Sequence, residues 1–134
     1  MKQESKEKII RNKDKGTRLE RYIKSFFHAI DGIKYTIKNE HNMIIMILAT
    51  IVVVVFGFKF SISNYEWLFC VGLIGAVMAS EMINTAIEAV VDLFSLKMHP
   101  LAKIAKDTAS SASLILSLTA FIGALIIFIP KIFP

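Results

Sequence analysis

The sequence has a single cysteine, Cys70, and it lies inside an apolar run. With no second thiol an intrachain disulfide is excluded, and the residue reads as a small buried apolar group. Basic residues are scarce beyond the N-terminal region: of the 16 Lys and Arg, 11 precede Glu40, leaving five for the remainder. The first dozen residues, MKQESKEKIIRN, lack the apolar stretch that a cleavable secretory signal needs. No GxxxxGK[ST] phosphate loop and no soluble-kinase catalytic loop is present, which excludes the soluble nucleotide enzymes built on those motifs. His28, His41 and His99 show no metal-ligand spacing and read as interfacial or loop residues.

What the sequence does have is apolar surface. Of its 134 residues 54% are hydrophobic, and the mean hydropathy is +0.57. Soluble domains hold roughly 45–50% even with glycine counted. A chain of this length makes one domain at most, and its apolar residues are grouped into long runs, so the surplus points to lipid contact rather than to a large core. The net charge is +5. A basic N-terminal region suits either nucleic acid or an anionic membrane surface; the apolar runs downstream favour the membrane, and no nucleic-acid partner is expected.

The expected fold is all-α and membrane-embedded: an N-terminal amphipathic surface helix and three transmembrane helices. Residues 1–16 are charged and read as a mobile tail, and 17–134 as the single membrane domain. Over 17–39, Leu19, Tyr22, Ile23, Phe26, Phe27, Ile30, Ile33 and Ile37 recur at helical steps, with Lys24, Asp31, Lys34 and Lys38 between them. Thr17 and Glu20 form a capping-box pattern at its start. Basic residues on one face and aromatics on the other suit a helix lying in the membrane interface; packing on a soluble partner is the alternative. Spans are expected at about 43–60, 67–93 and 109–129, each long enough to cross a bilayer. Pro100 is placed to begin a helix, and Pro130 to mark the end of the third span. Lys and Arg in the loops place the N-terminus and the SLKMHPLAKIAKD connection in the cytoplasm, and the C-terminus outside, in a multi-pass protein of the cell membrane.

The second span carries an anomaly. The stretch SEMINTAIEAVVDLF contains Glu81, Asn84, Glu88 and Asp92, yet an acidic residue at the centre of a membrane helix costs about 2.5–3.5 kcal/mol on insertion scales. At about 100° per residue, Asn84, Glu88 and Asp92 fall about −60°, −20° and +20° from Glu81, on one stripe. On the third span Lys106, Ser110, Ser113 and Ser117 share a face, with Asp107 beside it. A serine stripe of this kind is commonly a packing face. The topology nevertheless brings Glu40, Glu88, Asp92, Lys106 and Asp107 toward one membrane boundary.

That set suits phosphoryl transfer, which asks the protein for positioning and charge rather than covalent chemistry. Glu40 and Glu88 offer the hard oxygens that Mg²⁺ prefers, and Lys106 offers positive charge to nucleotide phosphates. Glu81, deeper in the apolar layer, can take a proton from an acceptor hydroxyl, and Asn84 one turn on can hold acceptor or base. Glu81 with Glu88 could instead form a proton relay in a small transporter. A relay predicts polar groups running to the far side of the membrane, whereas TIVVVVF and FIGALIIF are apolar. A purely structural subunit would leave the Glu81 stripe without purpose.

The run EMINTAIEAVVD, followed after a short loop by AKDTASSA, resembles the prokaryotic diacylglycerol kinase family of small integral-membrane lipid kinases. The resemblance extends from about Arg21 to the third span and includes the acidic residue of KNEHN. It implies a homotrimer of three-span chains with an N-terminal surface helix, using Mg²⁺ and ATP on a lipid alcohol. By position, Glu40 and Glu88 resemble the family's metal ligands and Glu81 its catalytic base. Asn84, Asp92, Lys106 and Asp107 match active-site and nucleotide positions, with Arg21 and Lys24 added to the nucleotide set. HPLAKIAKD is similar to the branch that phosphorylates undecaprenol, whereas the diacylglycerol-specific branch usually has glycine where Lys103 stands. Undecaprenol is therefore the expected acceptor, with diacylglycerol as the alternative.

Overall fold

The computed structural model describes residues 17–94 and 99–133; the tail expected over 1–16 and Lys97 lie outside them. Two compact units are distinguished, one ending at Lys34 and the other beginning at Tyr35. The described residues are helical: α1 Arg18–Asn39, α2 His41–Lys59, α3 Asn64–Phe94 and α4 Pro100–Ile132.

Local chemistry sets each boundary. The Thr17 N–H donates to Glu20 Oε2 at 3.1 Å and the Glu20 N–H to Thr17 Oγ1 at 3.3 Å, a reciprocal capping box that starts α1. One extended residue, Glu40, separates α1 from α2 and occupies the N-cap of α2 (φ −105°, ψ 113°) without a side-chain cap bond. The turn after α2 is a Schellman motif. Ser61 takes the left-handed conformation (φ 48°), the Ile62 N–H reaches the Gly57 carbonyl at 3.1 Å, and the Ser61 N–H reaches that of Phe58 at 3.2 Å.

The helices α3 and α4 begin earlier than the sequence pattern suggests. A second capping box, with the Ser63 N–H donating to Glu66 Oε2 at 2.7 Å and the Glu66 N–H to Ser63 Oγ at 3.3 Å, starts α3 at Asn64 rather than near Trp67. His99 Nδ1 accepts from the Leu101 N–H at 3.2 Å, and Pro100 opens α4, so the segment read as a connection through Asp107 is already helix. Pro130 does not end α4, which runs on to Ile132. A proline in the last turn removes only one intrahelical bond, and the Phe133 N–H still closes onto the Ile129 carbonyl at 3.0 Å.

Packing is dominated by the antiparallel pair α3 and α4. Its two ends are tied by ion pairs: Glu66 with Lys131 at 3.1 Å and Asp92 with Lys106 at 2.9 Å. Between them Gly123 lets α4 approach α3, since a β-carbon there would come within 2.7 Å of the Phe69 ring. At the α2–α3 turn, Ile62, Cys70, Ile127 and Phe128 are buried together with Phe56, Phe60 and Trp67 against them. The Phe128 ring meets Phe56 edge-on at 5.9 Å, so all three helices share a core at that end.

Elsewhere large apolar groups face outward. Ile45, Leu48, Leu114 and Ile115 are all more than half exposed on their helices. Three helices, α2, α3 and α4, are long and apolar enough to cross a membrane, and helices satisfy their own backbone groups, as hydrocarbon requires. These features are those of a membrane protein.

Candidate active site

The site forms in the half of the bundle away from the shared aromatic core. There α2 stands across from α3 and α4 and leaves an open-sided cavity of about 480 Å³. Val53, Ile74, Val77, Leu114 and Phe121 make its wall mostly apolar, and Asn42, Thr50, Ser110, Ser113, Ser117 and Glu81 interrupt it. A volume of this order lies in the range of small-molecule sites, about 300–1,000 Å³.

Glu81 is the most deeply placed acidic group. It is 1% exposed, and its Oε1 has no hydrogen-bond partner among the described residues. The adjacent turn is held independently of the carboxylate, because Thr85 Oγ1 donates to the Glu81 backbone carbonyl at 2.9 Å. Asn84, also buried, donates through Nδ2 to Glu88 Oε1 at 3.2 Å, while its own Oδ1 is likewise open. Glu88 is half-buried. The stripe expected from helical spacing is therefore physically graded, from a sealed carboxylate at Glu81 through a bridged one at Glu88 to an exposed one at Asp92.

At the polar end Lys106 donates to both oxygens of Asp92, at 2.9 and 3.1 Å. This contact links α3 to α4 and occupies the cation that the sequence assigned to phosphate. Asp107 is exposed and pairs with Lys103 one turn back on α4. Glu40, half-buried at the head of α2, spends no oxygen on capping. Arg21 and Lys24 are exposed on α1 and belong to the unit ending at Lys34. A serine stripe on a membrane helix is commonly a packing face; here Ser110, Ser113 and Ser117 lie on the cavity wall. The signal was their three- and four-residue spacing, but spacing does not say what a face looks onto.

Among the described residues no three His, Cys, Asp or Glu side chains gather as a metal cage. Mg²⁺ does not require one, since it is commonly bound by one or two carboxylates together with substrate phosphates and water. Glu40 and Glu88 each carry hard oxygens that no ion pair found among the described residues consumes, as that mode requires, although Glu88 Oε1 accepts from Asn84.

A family model described as prokaryotic diacylglycerol kinase matches residues 27–128. The chain belongs to that family. It is 41% identical over 121 residues to the undecaprenol kinase of Bacillus subtilis, covering 90% of this chain and 98% of that one. It is 29% identical over 99 residues to the diacylglycerol kinase of Pseudomonas aeruginosa, covering 74% and 80% of the two chains. With the diacylglycerol kinase of Helicobacter pylori strain J99 the identity is 33% over 95 residues, 71% and 74% of the chains. As a member of the prokaryotic diacylglycerol kinase family the chain is a lipid kinase, with ATP as its phosphate donor. Glu40, Glu81, Asn84, Glu88, Asp92, Lys106 and Asp107 all lie within the matched segment, whereas Arg21 and Lys24 precede it.

Proposed function

We propose that this lipid kinase transfers the γ-phosphoryl group of ATP to the hydroxyl of undecaprenol. The observation that carries the reading is a sealed carboxylate, Glu81, on an apolar cavity, with a ladder of polar groups leading from it to Lys106 at the membrane boundary. The high identity to the Bacillus relative over nearly the full length of both chains supports undecaprenol over diacylglycerol.

Glu81 accepts the hydroxyl proton as the lipid oxygen attacks the γ-phosphorus; the new O–P bond forms as the bond to the β–γ bridging oxygen breaks, and ADP leaves. Asn84 fixes Glu88 through its Nδ2 donor. Lys106 exchanges Asp92 for phosphate oxygens, which is favourable because an exposed ion pair is worth only about 0–1 kcal/mol. Glu40 and Glu88 would hold Mg²⁺ together with the nucleotide, and the ion would supply charge that neutralises the phosphates. Asp107 completes the nucleotide set.

The working form is a homotrimer, with the sites at the cytoplasmic boundary. The N-terminus lies inside and the C-terminus outside, following the basic loops, and α1 lies in the interface with its exposed Leu19, Tyr22, Phe26 and Phe27 toward lipid. The test is purified protein in mild detergent with Mg-ATP and a panel of lipid alcohols. Label on undecaprenol at least tenfold faster than on diacylglycerol supports the reading, and the reverse preference rejects the acceptor assignment. Cross-linking in the same detergent that finds only active monomers rejects the trimer.

A further inference from the structure

Three buried side-chain atoms have no hydrogen-bond partner among the described residues: Glu81 Oε1, Asn84 Oδ1 and Ser113 Oγ. Buried polar atoms are almost always paired, so each such exception calls for a reason. Two of the three, on Glu81 of α3 and Ser113 of α4, belong to residues that line the same apolar cavity. They are complementary. A carboxylate oxygen only accepts, whereas a serine hydroxyl can donate.

We infer that Ser113 is the residue that positions the acceptor hydroxyl: its O–H donates to the lipid hydroxyl oxygen while that hydroxyl donates to Glu81 Oε1. A single alcohol group satisfies both open atoms at once, which neither an alkane nor a fully substituted ether can do. The apolar wall made by Ile74, Val77, Leu114 and Phe121 then takes the first part of the hydrocarbon chain. The cavity is too small for a whole polyprenol, so the rest of the tail leaves through its open side into the bilayer. Ser113 is 5% exposed, so the donor is desolvated and has no water to replace the missing contact. The pairing selects for an alcohol on an apolar chain, and it leaves the second lone pair of the lipid oxygen for phosphorus. Ser113 touches the substrate without exchanging protons with it; Glu81 alone takes the proton.

This inference rests on the lipid-kinase reading, and the experiment separates the two. Ser113→Ala is compared with the unaltered protein in detergent micelles of fixed lipid mole fraction. The KM for polyprenol should rise about 3- to 10-fold, the loss of one neutral hydrogen bond, with the KM for ATP unchanged. Direct binding is measured in parallel for polyprenol, its methyl ether and the hydrocarbon of equal length. In the unaltered protein the ether, which can accept from Ser113 but cannot donate to Glu81, should bind between the other two. In Ser113→Ala the ether and the hydrocarbon should bind equally. A variant that keeps both the lipid KM and the gap between ether and hydrocarbon overturns the inference. If the unaltered protein phosphorylates no lipid alcohol, the kinase reading fails by itself, and the binding series still decides whether Ser113 recognises a hydroxyl.

Discussion

Replacing Glu81 by glutamine separates its chemical role from its structural one. The two side chains have nearly the same volume and shape, so at this buried position Glu81→Gln leaves packing intact. The hydrogen bond from Thr85 goes to the backbone of residue 81 and survives. What disappears is the ability to take a proton. General-base help is worth about 10²–10⁴ in rate, equivalent to about 3–5 kcal/mol of barrier at 1.36 kcal/mol per decade. The structure adds a second consequence. Leaving a buried acceptor without a partner destabilises a fold by about 1–3 kcal/mol, so Glu81→Met, which removes the polar atoms at similar volume, should make the protein more stable while abolishing turnover. The assays are kcat at saturating undecaprenol and Mg-ATP, a nucleotide titration without lipid, and a thermal scan in the same detergent. Glutamine and methionine variants should bind nucleotide normally, and methionine should raise the unfolding midpoint. A kcat within a few-fold of the unaltered protein for Glu81→Gln refutes the base assignment. Lost nucleotide binding with normal chemistry at saturating ATP moves Glu81 to the nucleotide site.

Other changes test other links. Glu88→Gln should abolish turnover with the fold retained, whereas Glu40→Gln should mainly raise the Mg²⁺ concentration needed for half-maximal rate; near-normal rates for Glu88→Gln at low Mg²⁺ remove the metal assignment. Asp92→Asn weakens the hold on Lys106, so ATP should bind more tightly by up to about fivefold, the worth of an exposed pair; unchanged or weaker binding argues that Asp92 itself meets the nucleotide. Lys131→Met cuts the half-buried pair with Glu66 that ties the far ends of α3 and α4, and should lower the unfolding midpoint with little effect on kcat. Ser61→Gly relieves a left-handed residue in the Schellman turn, where an L side chain costs about 1–2 kcal/mol, and should raise the midpoint instead.

The sequence by itself determined the helical spans, because apolar runs long enough to cross hydrocarbon have few other stable arrangements than helix. It also placed Glu81, Asn84, Glu88 and Asp92 on one stripe, since residues at three- and four-residue steps share a helix face whatever the helix packs against. The Thr17–Glu20 box was legible for the same local reason, and the matching Ser63–Glu66 box is equally present in the residues, although the apolar run itself begins only at Trp67. Tertiary structure decided what these residues meet. Helical spacing cannot say that Lys106 finds Asp92 on the neighbouring helix while Asp107 turns back to Lys103, because that choice depends on how α4 is rotated against α3. Nor can it tell a packing serine from a cavity serine: Ser113 became informative only when α2 left a cavity beside it and its hydroxyl had nothing within the described chain to bond. Local periodicity fixes direction around one helix axis, and burial is fixed only by the distance and angle between axes, which no single segment encodes.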